Sequence, residues 1–467
     1  MDSSVTVTGR GRAAFWFIAC VFAMTYVAAG LPPSLRFGET RRSLGGGGQT
    51  GPDSSDCALI PEPGEPVETV ALVDRVDPAN APRPTNDGER LVFRQLYETL
   101  VTADCHGRPG PGLAASWRLE ADGRTWTVTL REGARFSDGS EVTPADIRAA
   151  WTRDANGTDL RPHVSRLVQS IAVAGDHALA IVLRGRRVDA PMALAHPDLA
   201  VAKPVDGTPW PLGTHGARIT RELRVERDTL PPIRFVVAPE GDPRDLLDQG
   251  VDLLLTRDVA TLGYAATMAQ LQSLPLPWQR TLVLMTPGPA RSSPAFSEEQ
   301  RQTLAADAVR GEARGAHAPF WWETVPDCEL PPATRGNRPP PTPRIVYDVG
   351  DRAARDLAER LVGLGRFPRA AGLRGAALAL ARRQGADAGY LVALDTQPID
   401  PCRDLQVLSE GSRWLDPGTL VPLVETRLRA IVRRGRSGVT TEWDGGLVIT
   451  GMTRSLQARS EAQPRKP

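Results

Sequence analysis

The chain has 467 residues, room for two or three domains at roughly 100–200 residues each. Its 56 basic and 55 acidic side chains leave a formal charge of +1, which excludes a general nucleic-acid binder. With 41% hydrophobic and 24% charged residues it is neither a largely disordered chain nor a polytopic membrane protein, and a globular body is expected. All the cations except Lys203 and Lys466 are arginines; with abundant Ala, Gly and Pro, this reads as coding bias rather than a basic binding surface.

Ala13 to Leu31 carries no charge and follows Arg10 and Arg12. At ~1.5 Å per residue such a run can just cross a bilayer core, and the arginines favour a cytoplasmic N-terminus. Residues 1–31 therefore read as a signal peptide cleaved after Ala29 or as a retained membrane anchor. Lipid attachment at Cys20 and a buried core helix are the competing readings. The first two put the body outside the cytoplasm: at the outer face of the cytoplasmic membrane if anchored, secreted or periplasmic if cleaved. Residues 32–66, rich in Gly, Pro and Ser, read as a flexible tether spanning roughly 30–35 Å, and residues 453–467 as a disordered tail. Cys57, Cys105, Cys328 and Cys402 lack zinc spacing. In an oxidising compartment they can form two disulfides by any of three connectivities, or remain free and buried.

Along the body, an amphipathic helix is expected over Leu91 to Val101, where Val92, Leu96 and Leu100 share a face. Ser116 to Ala121 and Arg124 to Leu130 then read as a hairpin about Asp122-Gly123, with Trp126, Val128 and Leu130 buried. Thr143-Pro144-Ala145-Asp146 has the chemistry of a helix start: a capping hydroxyl, a proline at the first position, and an acid at the positive dipole end. Ile233 to Val237 and Val251 to Leu255 read as buried strands around a helix from Asp242 to Gln249. Ile345 to Tyr347 is a strand followed by a helix from Asp351 to Leu364, with Arg352–Asp356 and Arg355–Glu359 pairs on its wet face. Alternating strands and helices predict α/β lobes.

The segment Arg90 to Trp151 resembles the start of the extracellular solute-binding proteins of ABC importers, in the oligopeptide/dipeptide/nickel-binding family. The resemblance rests on Tyr97–Leu100 (Tyr-Glu-x-Leu), Leu113–Trp117 (Leu-Ala-x-Ser-Trp), Leu130–Phe136 (Leu-Arg-x-Gly-x-x-Phe), Asp138-Gly139 and the Thr143–Asp146 helix start, in that order. Weaker similarities lie at Asp74–Pro78, at Pro211–Ala217 with His215 in place of a glycine, at Gln249–Asp252, at Phe296–Arg310, and at Gly389–Leu405. The stretch Arg227–Pro232 and the second lobe are shorter than in the family.

The resemblance implies a two-lobed α/β periplasmic-binding-protein-like (type II) fold with a hinge and an interlobe cleft. Its first lobe is discontinuous, residues 67–275 plus 436–452, and its second lobe is 276–435. It implies a monomer that captures a peptide or similar small solute by hinge closure and delivers it to ABC permease subunits, with the N-terminal segment at the membrane. Asp395 takes the position whose carboxylate pairs with a peptide ammonium; the alternative for Asp395 is a loop cap after the strand Tyr390–Leu394. Asp400, Tyr97 and Trp117 are the further ligand-binding candidates, the aromatic pair also reading as core. The second reading is a divergent member of the same fold acting as a cell-surface sensor or interaction protein. No catalytic residue, metal ligand or cofactor is expected: no G-x-S-x-G, H-E-x-x-H or P-loop occurs, and the six histidines are scattered. Among them His215 is singled out, because it interrupts a motif.

Deleting residues 1–31 is expected to leave a folded, soluble protein by size-exclusion chromatography and circular dichroism. Aggregation of the truncated chain would assign the apolar run to the core.

Overall fold

Strands that must be buried on both faces need continuous apolar runs, and the chain places such runs at the centre of its largest sheet. The computed structural model describes residues 57–450 except 154–158, 185–189, 221, 229, 239–240, 288–295, 310–319, 325–327, 329, 331–340, 397–400 and 417–419. The apolar run at 13–31 with Cys20, most of the tether, Asp400 and the 453–467 tail lie outside the described residues. Among the described residues no helix is long and apolar enough to cross a membrane.

The largest sheet has seven strands in the order Leu271–Pro275, Arg429–Arg433, Leu253–Thr256, Thr69–Leu72, Ile233–Val237, Arg224–Arg227 and Ala217–Ile219. Its central strand Thr69–Leu72 runs parallel to both neighbours, Val70 lying opposite Phe235 on one side and Leu253 on the other. A five-stranded sheet has the order Ala370–Leu373, Thr342–Asp348, Asp387–Asp395, Arg280–Met285 and Val421–Thr426. A third, antiparallel sheet joins Ala114–Leu119, Thr125–Leu130, Ala178–Leu183 and Val168–Gly175. Each sheet packs its own apolar side chains: Val70, Phe235 and Leu253 in the first, Leu284, Ile345 and Leu357 in the second, Val128, Ile147 and Ile181 in the third. The α/β architecture expected from the sequence is observed.

The chain passes from the seven-stranded to the five-stranded sheet between Pro275 and Arg280 and returns between Thr426 and Arg429. The two crossings are bonded to each other, Leu276 N donating to Leu428 O (3.0 Å) and Gln279 N to Thr426 O (3.2 Å). The return falls earlier than the expected boundary at 436, because strand Arg429–Arg433 is already paired in the seven-stranded sheet. The C-terminal strands expected in the first lobe form a separate hairpin, Val439–Thr441 with Leu447–Ile449, whose Val439, Leu447 and Ile449 pack into the core of the seven-stranded sheet. That hairpin is held by the buried Gln95 side chain, which donates to Leu447 O and accepts from Ile449 N, both at 3.0 Å.

The tether expected to reach Pro66 ends sooner. Ile60 is buried, Leu59 N donates to Val439 O (2.8 Å), and Glu65–Pro66 pairs with Arg436–Ser437, so these residues belong to the body. The cysteines pair Cys57–Cys105 and Cys328–Cys402, one of the three connectivities open to the sequence. The first bond fastens this opening stretch to the loop after strand Val101–Ala103.

Local expectations fare unevenly, for physical reasons. Helix Pro144–Trp151 has the complete capping box: Thr143 accepts from Asp146 N, and Asp146 accepts from Thr143 N. Helix Arg352–Gly363 starts at Asp351 as expected, but Arg352 reaches Asp258 at 3.5 Å rather than Asp356, while Arg355 lies 4.0 Å from Glu359. The hairpin has a four-residue loop instead of two, since Glu120 N bonds Thr125 O and Asp122 caps Arg124 N and Thr125 N, with Gly123 at φ +68.

The first helix is Asp87–Arg94, not Leu91 to Val101. Asn86 caps Glu89 N at its start. At its end the Leu96 carbonyl accepts from Thr214 N (3.0 Å) and His215 N (3.3 Å), which takes away the acceptor a further turn needs. That approach requires Gly213, where a Cβ would stand 2.1 Å from Leu96 O.

Gly213→Ala is therefore expected to lower the urea midpoint markedly, by more than Thr143→Ala, whose lost cap should cost about 1 kcal/mol. Equal, small shifts would show that the Leu96 contact does not constrain the fold.

Candidate functional site

Helix Asp87–Arg94 sets one wall of a cleft. Leu91 and Val92 are buried in the core of the seven-stranded sheet, while Asp87 and Arg90, three apart and on a common face, line the opening. The crossing segment supplies Trp278, Gln279 and Arg280, and strand Asp387–Asp395 brings its last residue opposite Arg280 in register. The other walls are His163 and Arg166 at a 3-10 turn, His196 and Asp198 at another, and Trp443 and Asp444 in the C-terminal hairpin turn. The enclosed volume is about 260 Å³. All three sheets or their connections contribute to one concave site, where ligand groups can be held from several sides.

Most of its charges are already paired. Arg257 donates to the Asp87 carboxylate and, through Nη2, to Gln279 Oε1 (2.7 Å). Burial opposes ionisation of Asp87, but Arg257 and Arg280 outweigh it and hold its pKa near about 2. Asp444 is likewise penalised by burial, yet Arg94, 2.7 Å away, and Arg90 keep its pKa below the usual carboxylate range. His196 Nδ1 accepts from Asp198 N (3.1 Å), which leaves the proton of the neutral ring on Nε2. Burial lowers the His196 pKa despite nearby Asp198, and burial together with Arg83 pushes His163 down to about 4. Both rings are neutral near pH 7.

What remains is a short set of unmatched groups. Among the described residues the Asp395 carboxylate makes no hydrogen bond or ion pair; its main-chain oxygen accepts from Trp321 Nε1 (2.8 Å). The Arg90 and Arg166 guanidinium groups also have no ion-pair partner among the described residues. Two donors, Gln279 Nε2 and Trp443 Nε1, are buried without an acceptor among the described residues. A carboxylate without a hydrogen bond, two guanidiniums without a close ion-pair partner among the described residues, and two unsatisfied donors in one cleft suit a molecule with an ammonium at one end and a carboxylate or other acceptors at the other.

Of the residues expected from the sequence, Asp395 lines this cleft as the final residue of its strand, while residues 397–400, on which the loop-cap alternative bears, lie outside the described residues. Asp400 is outside the described residues, although Pro401–Gly411 is a helix whose Asp404 lines the cleft. Tyr97 is packed in the core with its hydroxyl donating to Pro211 O (3.3 Å), and burial raises its pKa. Trp117 is half-buried against the core of the four-stranded sheet. Neither aromatic lines the cleft. His215 sits 3.8 Å from Glu98 in a different, small cavity.

Sequence reasoning missed Arg90, His163, Arg166, His196 and Trp443. Arg90 carried a weak signal, two residues before a helical apolar stripe on the opposite face. The others meet only through long-range folding.

Residues 108–217 match the family described as bacterial extracellular solute-binding proteins, family 5, middle. The periplasmic oligopeptide-binding protein OppA of Salmonella typhimurium is 40% identical over 79 residues, 17% of this chain and 14% of that protein. The nickel-binding periplasmic protein of Escherichia coli is 38% identical over 82 residues, 18% of this chain and 15% of that protein. These matched segments thus span about one seventh of the relatives' length. A dipeptide binding protein from Pseudoalteromonas sp. SM9913 in complex with Met-Leu superposes with TM-score 0.58 at 13% identity, over 82% of this chain and 99% of that one. NikA from Brucella suis in complex with Fe(III)-EDTA superposes with TM-score 0.57 at 16% identity, over 79% and 95%. The fold is that of the family-5 periplasmic binding proteins.

His163 binds fewer protons folded than unfolded, because its pKa falls from 6.5 to about 4. Its contribution to stability is full above about pH 6.5 and is lost as the pH falls from there toward 4. Urea midpoints should therefore drop between pH 7 and pH 4.5, and His163→Gln should reduce that drop; an unchanged slope would mean that the ring titrates alike in the folded and unfolded chains.

Proposed function

We propose, from the match of residues 108–217 to the family-5 solute-binding proteins and from the segments shared with oligopeptide- and nickel-binding proteins, that the chain is a member of that family and captures a small zwitterionic solute of the di- or tripeptide class. Solute-binding proteins of this family are non-enzymatic, and the cleft acts by holding, not transforming, its guest. The carrying observation is the unmatched set in one cleft, Asp395 against Arg90 and Arg166. The ammonium group meets Asp395; the carboxylate meets the two arginines; Gln279 Nε2 and Trp443 Nε1 donate to main-chain carbonyls of the guest.

The two sheet bodies move as lobes about the paired crossings at 276–279 and 426–428. A solute favours the closed arrangement only to the extent that it touches both sides, which Asp395 on one and Arg90 on the other provide. Closure removes water, strengthening each of these contacts. We assign the protein to the outer face of the cytoplasmic membrane or the periplasm, in keeping with relatives named as periplasmic, and its partner is an ABC permease that accepts the closed form. Unsatisfied polar groups in an open cleft favour capture over the reading as a surface sensor.

Calorimetry with the dipeptide Gly-Leu tests this. Asp395→Asn should weaken binding at least tenfold without lowering the melting temperature, and N-acetylation of the peptide should do the same to the wild-type protein but add little to the variant. Arg90→Gln should weaken Gly-Leu more than its C-terminal amide. Equal affinity of Asp395→Asn and wild type for the free peptide would remove Asp395 from the site.

A further inference from the structure

A second cavity, about 230 Å³ in volume, lies against the cleft and shares a wall residue with it, His163. Its chemistry differs. The inner wall is apolar, built from Ala150 on helix Pro144–Trp151, from Ala202, and from Pro82 and Pro211. The rim is formed by Pro204, Val205 and Pro209; Val205 is 39% exposed, an uncommon position for a large apolar residue in this chain. Two arginines border the chamber, Arg83, whose Nη1 lies 3.3 Å from His163 Nδ1, and Arg161, whose Nε is buried without a hydrogen-bond partner among the described residues. His163, held neutral by burial and by these same arginines, separates the two spaces without adding a charge.

The alanine, proline and valine side chains among the residues lining this chamber gain free energy when apolar surface covers them. Its two bordering guanidiniums repel a cation, since no acidic side chain lines it among the described residues. We propose that this chamber is a side-chain pocket of the solute site, receiving an apolar side chain of the bound peptide past His163 and rejecting a lysine or arginine side chain. The inference rests on the peptide-capture reading above and adds the specificity that reading lacks.

Calorimetry at pH 7.5 with Gly-Gly, Gly-Leu and Gly-Lys separates the two. Binding of Gly-Gly that is weakened by Asp395→Asn supports capture alone. The pocket adds that Gly-Leu binds at least tenfold tighter than Gly-Gly, and Gly-Lys no tighter than Gly-Gly. Ala150→Phe, which fills the chamber, should bring Gly-Leu and Gly-Gly within threefold of each other. Val205→Asp on the exposed rim should also cut the Gly-Leu advantage, and it serves where Ala150→Phe does not fold. Arg83→Gln with Arg161→Gln should raise Gly-Lys affinity severalfold. A Gly-Leu advantage that survives both Ala150→Phe and Val205→Asp, or Gly-Lys binding equal to Gly-Leu in the wild type, overturns the pocket while leaving capture standing. If none of the three peptides binds, both fall.

Discussion

The two segments by which the chain leaves and re-enters its largest sheet lie side by side and are hydrogen-bonded to each other, and the cleft follows from that constraint. Leu276 pairs with Leu428 and Gln279 with Thr426, so the five-stranded sheet is joined to the rest through one narrow antiparallel ribbon. Because each sheet buries its own apolar residues, neither needs the other to complete a core. The space left between them can then be polar. Were the two cores merged, the charges at Asp87, Arg257 and Asp395 would be buried at a cost no pairing offsets.

Pairing within the cleft is arranged so that structural and binding charges do not compete. Arg257 bridges Asp87 and Gln279, fixing the start of the N-terminal helix against the crossing ribbon. Arg94 does the same for the C-terminal hairpin through Asp444 and Glu442. With those cations engaged, the proposed capture draws on Arg90, Arg166 and Asp395, which line the same cleft. The proposal of a zwitterionic guest rests on groups of both signs that line the cleft without a hydrogen bond or close ion pair among the described residues. The adjoining apolar chamber extends the proposed site toward a side chain and supplies a basis for choosing between guests.

Gly213 shows how a family motif acts through packing rather than ligand contact. The Gly-Thr pair at 213–214 ends the first helix by capping Leu96 O, and the Thr214 hydroxyl accepts from Glu98 N (3.1 Å). The recognisable Tyr97–Leu100 motif is thus the partner of another recognisable motif. Similarity concentrated in such segments identifies the scaffold and says little about the guest.

The sequence by itself determined whatever depends on neighbours a few residues apart. The capping box at Thr143, the buried face of Trp126, Val128 and Leu130, and the amphipathic stripe of Arg352–Gly363 are written in local spacing, and the ordered motifs from Tyr97 to Asp146 named the fold. Asp395 was reached only by motif resemblance, and Tyr97 and Trp117 were placed by apolar character that suits a core as well as a cleft. Tertiary structure alone decided the rest. The first helix stops where a distant backbone claims its carbonyl, and the cysteines pair across separations of 48 and 74 residues. The cleft draws Arg90, His163, His196, Asp395 and Trp443 from five separate stretches of chain. No local period encodes that meeting; it follows from the order in which strands join their sheets.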